Sequence, residues 1–144
     1  MTGGRVVVAN GPNLNVLGKR EPEIYGSGTL GDIEDSVRRL AAAKGVSVDF
    51  FQTNHEGELI DRVQKLAPGS LGLVINPGAL SHYSYALYDC LRALEVRVVE
   101  VHLSNIAARP EGFRHVSVTA TAANGVISGL GPRGYLLALE YLLD

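Results

Sequence analysis

Short unbroken runs of β-branched and aliphatic residues, each closed by a Gly, Pro or Asn turn, alternate along this chain with stretches of helical apolar spacing. Arg5 to Ala9 runs into Asn-Gly-Pro-Asn, Val46 to Thr53 into Asn-His, Leu71 to Ile75 into Asn76-Pro77-Gly78, Val96 to His102 into a polar loop, and Gly125 to Gly129 into Leu-Gly-Pro. Continuous apolar runs of this length read as strands buried on both faces. Between them, Leu30, Ile33, Val37, Leu40 and Ala41 share a helical face that starts at Thr29 and stops at Gly45. Leu59, Ile60, Val63 and Leu66 do the same up to Pro68-Gly69, and helices are expected over about Ser81–Leu94 and Tyr135–Leu143. Strands that alternate with helices imply right-handed crossovers and a parallel sheet covered on both sides. The expected fold is α/β, a flavodoxin-like doubly wound sheet of five parallel strands in the order 2-1-3-4-5.

With 144 residues, the chain is expected to form a single domain over 1–144. Its net charge of −2, with the basic residues scattered, leaves no electrostatic footprint for nucleic acid or an anionic membrane. No apolar run approaches the roughly 20 residues of a membrane helix, and the Val6–Ala9 run that follows Arg5 is too short for a signal-peptide core, so no secretory signal is expected. Cys90 is the only cysteine, which excludes an internal disulfide and fits a reducing, cytoplasmic setting. The partner is expected to be a small molecule.

In sheets of this kind ligands bind beyond the carboxyl ends of the strands. Asn10–Asn15, Asn76–Gly78 and Glu100–Asn105 all fall there. The segment from Gly11 to Gly28 exceeds the 2 to 6 residues usual for such a connection, so a lid is expected over about 18–28. It carries Arg20 and Tyr25. A phenol with a pKa near 10 becomes a base at neutral pH only if a cation favours its phenolate, and a permanently charged arginine in the same loop supplies one. Glu100 and His102 lie two apart in a strand, so they leave on one face, where the carboxylate orients the imidazole as a proton donor. The backbone N–H groups of Leu103 and Ser104 form a candidate anion nest. His82 is expected in the first turn of the third helix, with Asp89 seven residues on along the same face.

His55 and His115 have no partners at ligand spacing, so no metal is expected. No Gly-rich phosphate loop follows the first strand, so no nucleotide or flavin cofactor is expected either. Lys19, Lys44 and Lys65 fall in the lid or in exposed helical positions and offer no buried Schiff-base nucleophile. A flavin- or nucleotide-binding module without catalysis would need the missing phosphate loop. A phospho-receiver would need acidic residues where Asn10 and Asn76 stand.

Asn10-Gly11-Pro12-Asn13-Leu14-Asn15, Gly18-Lys19-Arg20-Glu21-Pro22 and Ile24-Tyr25-Gly26 closely resemble the opening signature of type II 3-dehydroquinate dehydratases. The likeness continues in order through Asn54-His55-Glu56-Gly57-Glu58-Leu59, Asn76-Pro77-Gly78-Ala79, Glu100-Val101-His102-Leu103-Ser104-Asn105, and Gly129-Leu130-Gly131 with Gly134-Tyr135. The resemblance implies dehydration of 3-dehydroquinate to 3-dehydroshikimate through an enolate, without cofactor, in the shikimate pathway or in quinate catabolism. By position it implies Tyr25 as general base, Arg20 as its activator, His102 as general acid and Glu100 as the partner of His102. Asn13 is implied in enolate stabilisation through an ordered water. Asn76, His82, Asp89, the Leu103–Ser104 backbone and Arg114 are the implied substrate-binding set. It also implies a homo-oligomer, a dodecamer built as a tetramer of trimers, in which Asp89 reaches a neighbouring site. The chain departs from the family pattern at Ala107, in a 109–114 loop one residue longer, at Tyr83, Tyr85 and Tyr88, and at Thr121.

Overall fold

A computed structural model describes residues 3–19, 23 and 28–144. Five parallel strands, β1 (Arg5–Asn10), β2 (Ser47–Gln52), β3 (Leu73–Asn76), β4 (Val98–His102) and β5 (Gly125–Ser128), pair in the order β2-β1-β3-β4-β5. The expected order is thus observed. Among the described residues four longer α-helices accompany them: α1 (Leu30–Ala43), α2 (Glu56–Leu66), α3 (Tyr85–Arg92) and α4 (Arg133–Leu142).

The period-two alternation of the strands divides the core. Val6 and Val8 of β1, Val74 of β3, and Val99 and Val101 of β4 pack with Ile33 and Val37 of α1 and with Ala138 and Leu139 of α4. The intervening residues Val7, Ala9, Leu73, Ile75 and Val98 pack on the other side with Leu59 and Val63 of α2 and Leu87 and Leu91 of α3. The three central strands β1, β3 and β4 therefore carry apolar residues to both sides, which is why their runs are unbroken. The start of α1 is chemically marked. Thr29 accepts from the Asp32 backbone N–H at 3.2 Å while the Asp32 carboxylate accepts from that of Thr29 at 3.0 Å, a reciprocal cap.

The structure corrects three boundaries. β3 and β4 each begin two residues later than their apolar runs, because Leu71 and Val96 pack against the core beyond the paired ladder. The helix expected over Ser81–Leu94 is broken. Gly78–His82 forms a separate 3₁₀ turn, and α3 starts only at Tyr85, where Ser84 caps it. The Ser84 hydroxyl accepts from the Leu87 N–H at 3.0 Å and donates to Glu56 of α2 at 2.5 Å, so it marks a true helix start. His82 and Asp89 consequently do not share a helical face. The connection from β4 to β5 holds no α-helix and turns instead through 3₁₀ segments at Ile106–Ala108, Gly112–His115 and Thr119–Ala122.

Candidate active site

The carboxyl ends of β1, β3 and β4 meet at one edge, where Asn10 is in register with Asn76 and Ile75 with Glu100. The turns after β1 and β3 lock together. Gly11 donates its N–H to the Asn76 carbonyl at 2.8 Å. A Cβ on Gly11 would stand 2.5 Å from the Pro77 carbonyl oxygen, and one on Gly78 (φ +61°) 2.9 Å from that of Pro12. The contact brings Asn13 and Asn76 to one small cavity of about 60 Å³, which His82, His102, Leu103 and Ser104 also line.

Glu100 and His102 leave β4 on the same side, as their spacing requires. Glu100 is 0% and His102 6% exposed, so the carboxylate needs compensation by hydrogen bonds. It has three: from His102 Nε2 at 2.7 Å, from the Ser117 hydroxyl at 2.6 Å and from the Thr119 hydroxyl at 2.5 Å. An ionised carboxylate only accepts, so Nε2 carries its proton and Nδ1 is left for the cavity.

His82 is fixed by similar reasoning. Its Nδ1 lies 2.8 Å from the Val116 carbonyl, which can only accept, so Nδ1 bears the proton and Nε2 is left over. Burial lowers its pKa, and the neighbouring charges of His102 and Arg114 push the same way. The bond to Val116 and the Glu100 carboxylate oppose them.

Two arginines complete the wall. Arg109, 8% exposed, donates from Nη1 to the Ser104 hydroxyl at 3.2 Å, and its carbonyl accepts from His115 Nε2 at 2.6 Å. Arg114 donates from Nε to Glu111 at 2.7 Å, a bond that holds the Glu111 carboxyl below its ordinary range. The Leu103 carbonyl accepts from Gly131 at 3.0 Å and that of Ser104 from the Ser128 hydroxyl at 3.1 Å, which pins the 103–104 loop against the cavity. Two guanidiniums and two imidazoles around so small a space favour an anionic or many-hydroxyl ligand.

Asn13 differs in kind. It is exposed and its φ is +71°, the one non-glycine residue with positive φ among the described residues. Its N–H donates to Asn54 Oδ1 at 2.9 Å. Gln52 turns Asn54 by donating to the same oxygen at 3.0 Å, and also donates to the Gly11 carbonyl at 3.1 Å.

The expected residues Asn13, Asn76, His82, His102, Leu103, Ser104 and Arg114 thus converge, with Glu100 behind His102. Asp89 does not join them: it is exposed on α3 and does not line its own chain's cavity. Arg20 and Tyr25, and with them most of the expected lid, lie outside the described residues. Arg109, Ser117, Thr119 and Gln52 escaped the sequence reading, and Asn54 entered it only within the Asn54–Leu59 stretch of the family resemblance. Among the described residues no group of three or more His, Cys, Asp or Glu could hold a metal, and no helix is long and apolar enough to cross a membrane.

Residues 4–143 match the family model described as dehydroquinase class II. The chain is 55% identical over 137 residues to 3-dehydroquinate dehydratase 1 of Agrobacterium fabrum, covering 95% of this chain and 94% of that one. It is 53% identical over 138 residues to the 3-dehydroquinate dehydratase of Bacillus subtilis, covering 96% and 93%. The crystal structure of type II dehydroquinase from Butyrivibrio crossotus superposes with a TM-score of 0.95 at 42% identity, over 99% of both chains. That from Propionibacterium acnes gives 0.93 at 42% identity, over 99% of this chain and 97% of the other.

Proposed function

The chain belongs to the class II dehydroquinase family and has its activity, the dehydration of 3-dehydroquinate by a hydro-lyase, and from that premise we propose how its residues divide the reaction. Tyr25, as a phenolate favoured by the charge of Arg20, removes a proton from the carbon next to the ketone. The enolate is stabilised at Asn13 through an ordered water. Its collapse expels the hydroxyl, which takes a proton from His102 and leaves as water. Tyr25 ends protonated and His102 neutral, and solvent exchange resets both. No cofactor takes part.

The observation that carries this reading is the His102–Glu100 contact of 2.7 Å at the cavity wall. It orients the ring so that Nδ1 is the nitrogen available to the ligand, which supports the acid role proposed for His102. Asn76, His82, Arg114 and the Leu103–Ser104 backbone bind the substrate's hydroxyls and carboxylate. Asp89, exposed on its own subunit, reaches the site of a neighbouring copy in a dodecamer assembled as a tetramer of trimers. The enzyme acts in the cytoplasm without nucleic acid or membrane partners, in biosynthesis or in quinate breakdown.

The test is ultraviolet detection of the conjugated enone formed from 3-dehydroquinate, with Tyr25→Phe and Arg20→Ala beside the parent. Tyr25→Phe is expected to lose at least about 100-fold in kcat with little change in binding. Activity above about a tenth of the parent would remove Tyr25 from the role of base.

A further inference from the structure

Asn76 hangs from a buried hydrogen-bonded chain that none of these roles includes. Asn10 and Asn76 are paired in register as the last residues of β1 and β3, and the pleat turns both side chains toward the α1 and α4 side of the sheet. Tyr135, in the first turn of α4, enters between them. Its hydroxyl lies 2.7 Å from Asn10 Oδ1 and 3.0 Å from Asn76 Nδ2. Asn10 is 0%, Tyr135 1% and Asn76 4% exposed, so a misdirected bond in this chain has no water to turn to.

The direction of every bond is forced from both ends. The Phe51 carbonyl can only accept, so Asn10 presents Nδ2 to it at 3.1 Å and Oδ1 to Tyr135. Tyr135 has one proton and gives it to that Oδ1, so its oxygen can bond Asn76 only by accepting from Nδ2. Burial pushes the Tyr135 pKa well up, so the hydroxyl keeps its proton. At the other end the Gly78 N–H can only donate, and Asn76 places Oδ1 there at 3.1 Å. The two ends demand the same amide orientation. What remains of the Asn76 amide beside the cavity is its second N–H and one Oδ1 lone pair.

We infer that Tyr135 is a positioning residue for substrate binding: its hydroxyl, anchored on Asn10, holds the Asn76 amide so that the second Nδ2 hydrogen is presented to an oxygen of the ligand. Tyr135 itself touches no ligand. The inference rests on Asn76 binding substrate, and the experiment separates the two.

Steady-state kinetics with 3-dehydroquinate would compare the parent with Tyr135→Phe, Asn10→Leu, Asn76→Ala and the Tyr135→Phe/Asn76→Ala double variant. Tyr135→Phe is expected to raise KM roughly fivefold, the worth of one hydrogen bond, with kcat within about twofold. Asn10→Leu removes the anchor but keeps the tyrosine and is expected to move KM the same way, so it carries the test if Tyr135→Phe does not fold. The double variant is expected to have the KM of Asn76→Ala alone, because Tyr135 acts through Asn76. A merely structural tyrosine would lower the melting temperature and the active fraction while leaving KM in place. If Asn76→Ala raises KM and Tyr135→Phe does not, the inference is overturned and the reading of Asn76 stands. If Asn76→Ala leaves KM unchanged, Asn76 does not bind substrate and the inference falls with it.

Discussion

The end of β4 and the end of β1 face each other across one cavity, yet they are built in opposite ways. His102 sits in the paired ladder, 6% exposed, on a carboxylate held by three hydrogen bonds. Asn13 is exposed, outside any strand, and sits at a positive φ with its N–H donated to another exposed amide, Asn54. A group that must stay in one tautomer gains from burial, because alternatives without partners are costly there. A group that meets a ligand through water needs access, and backbone geometry supplies the order that burial does not. The acid end should therefore couple chemistry to folding stability, and the loop end should affect chemistry with little effect on stability.

The hardest test of that contrast is His102→Ala. Turnover is expected to fall by about 10³-fold, while substrate recovered from deuterated solvent carries deuterium next to the ketone, since the proposed base Tyr25 would still form the enolate. Mass spectrometry that finds neither product nor exchange would place His102 in binding or in the first proton transfer.

Thr119→Val is nearly isosteric and deprives the buried carboxylate of one donor. The loss expected is about 1–3 kcal/mol of folding stability, together with a several-fold drop in kcat. An unchanged urea midpoint would show that two donors suffice, and the supposed coupling at this end would be gone. Asn54→Ala should do the reverse, lowering kcat about fivefold but stability by less than about 1 kcal/mol. A stability loss equal to that of Thr119→Val would erase the distinction between the two ends.

The smallest effect concerns His82, whose pKa in the fold lies below the ordinary 6.5. Between 6.5 and that lower value the unfolded chain binds more protons than the native one, so His82 makes stability fall as pH drops through this window. Above 6.5 its contribution is complete. His82→Gln should flatten that part of the profile, read as the difference in urea midpoint between about pH 7.5 and 5.5. A variant whose midpoint falls as steeply as the parent's would show that His82 takes up its proton freely.

What could be seen in advance follows the range of the contacts. The strand runs and the Glu100–His102 spacing are local patterns, and sheet order and shared face followed from them. Thr119 lies 19 residues from Glu100, Asn54 41 from Asn13, and Tyr135 59 from Asn76. No periodicity links residues so far apart. The third helix misled for a related reason. Its apolar spacing runs through Ser84 without interruption, and only the bonds of that hydroxyl to Leu87 and Glu56 show where the helix begins. Asp89, read as a helical neighbour of His82, was misplaced in consequence.

The crossed turns at Gly11 and Gly78 have a consequence for how the sequence can vary. Each turn limits the other through a backbone oxygen: Pro77 stands 2.5 Å from the place of a Gly11 methyl, and Pro12 2.9 Å from that of a Gly78 methyl. Trimming a neighbouring side chain relieves neither clash, because the obstructing atoms belong to every amino acid alike. Nor does one substitution make room for the other, since both would wedge the same two turns apart. In a mutational landscape the pair is an isolated point with no compensated neighbours. The approach of the turn that carries Asn13 to the end of β3 is then limited by two residues that have no side chains.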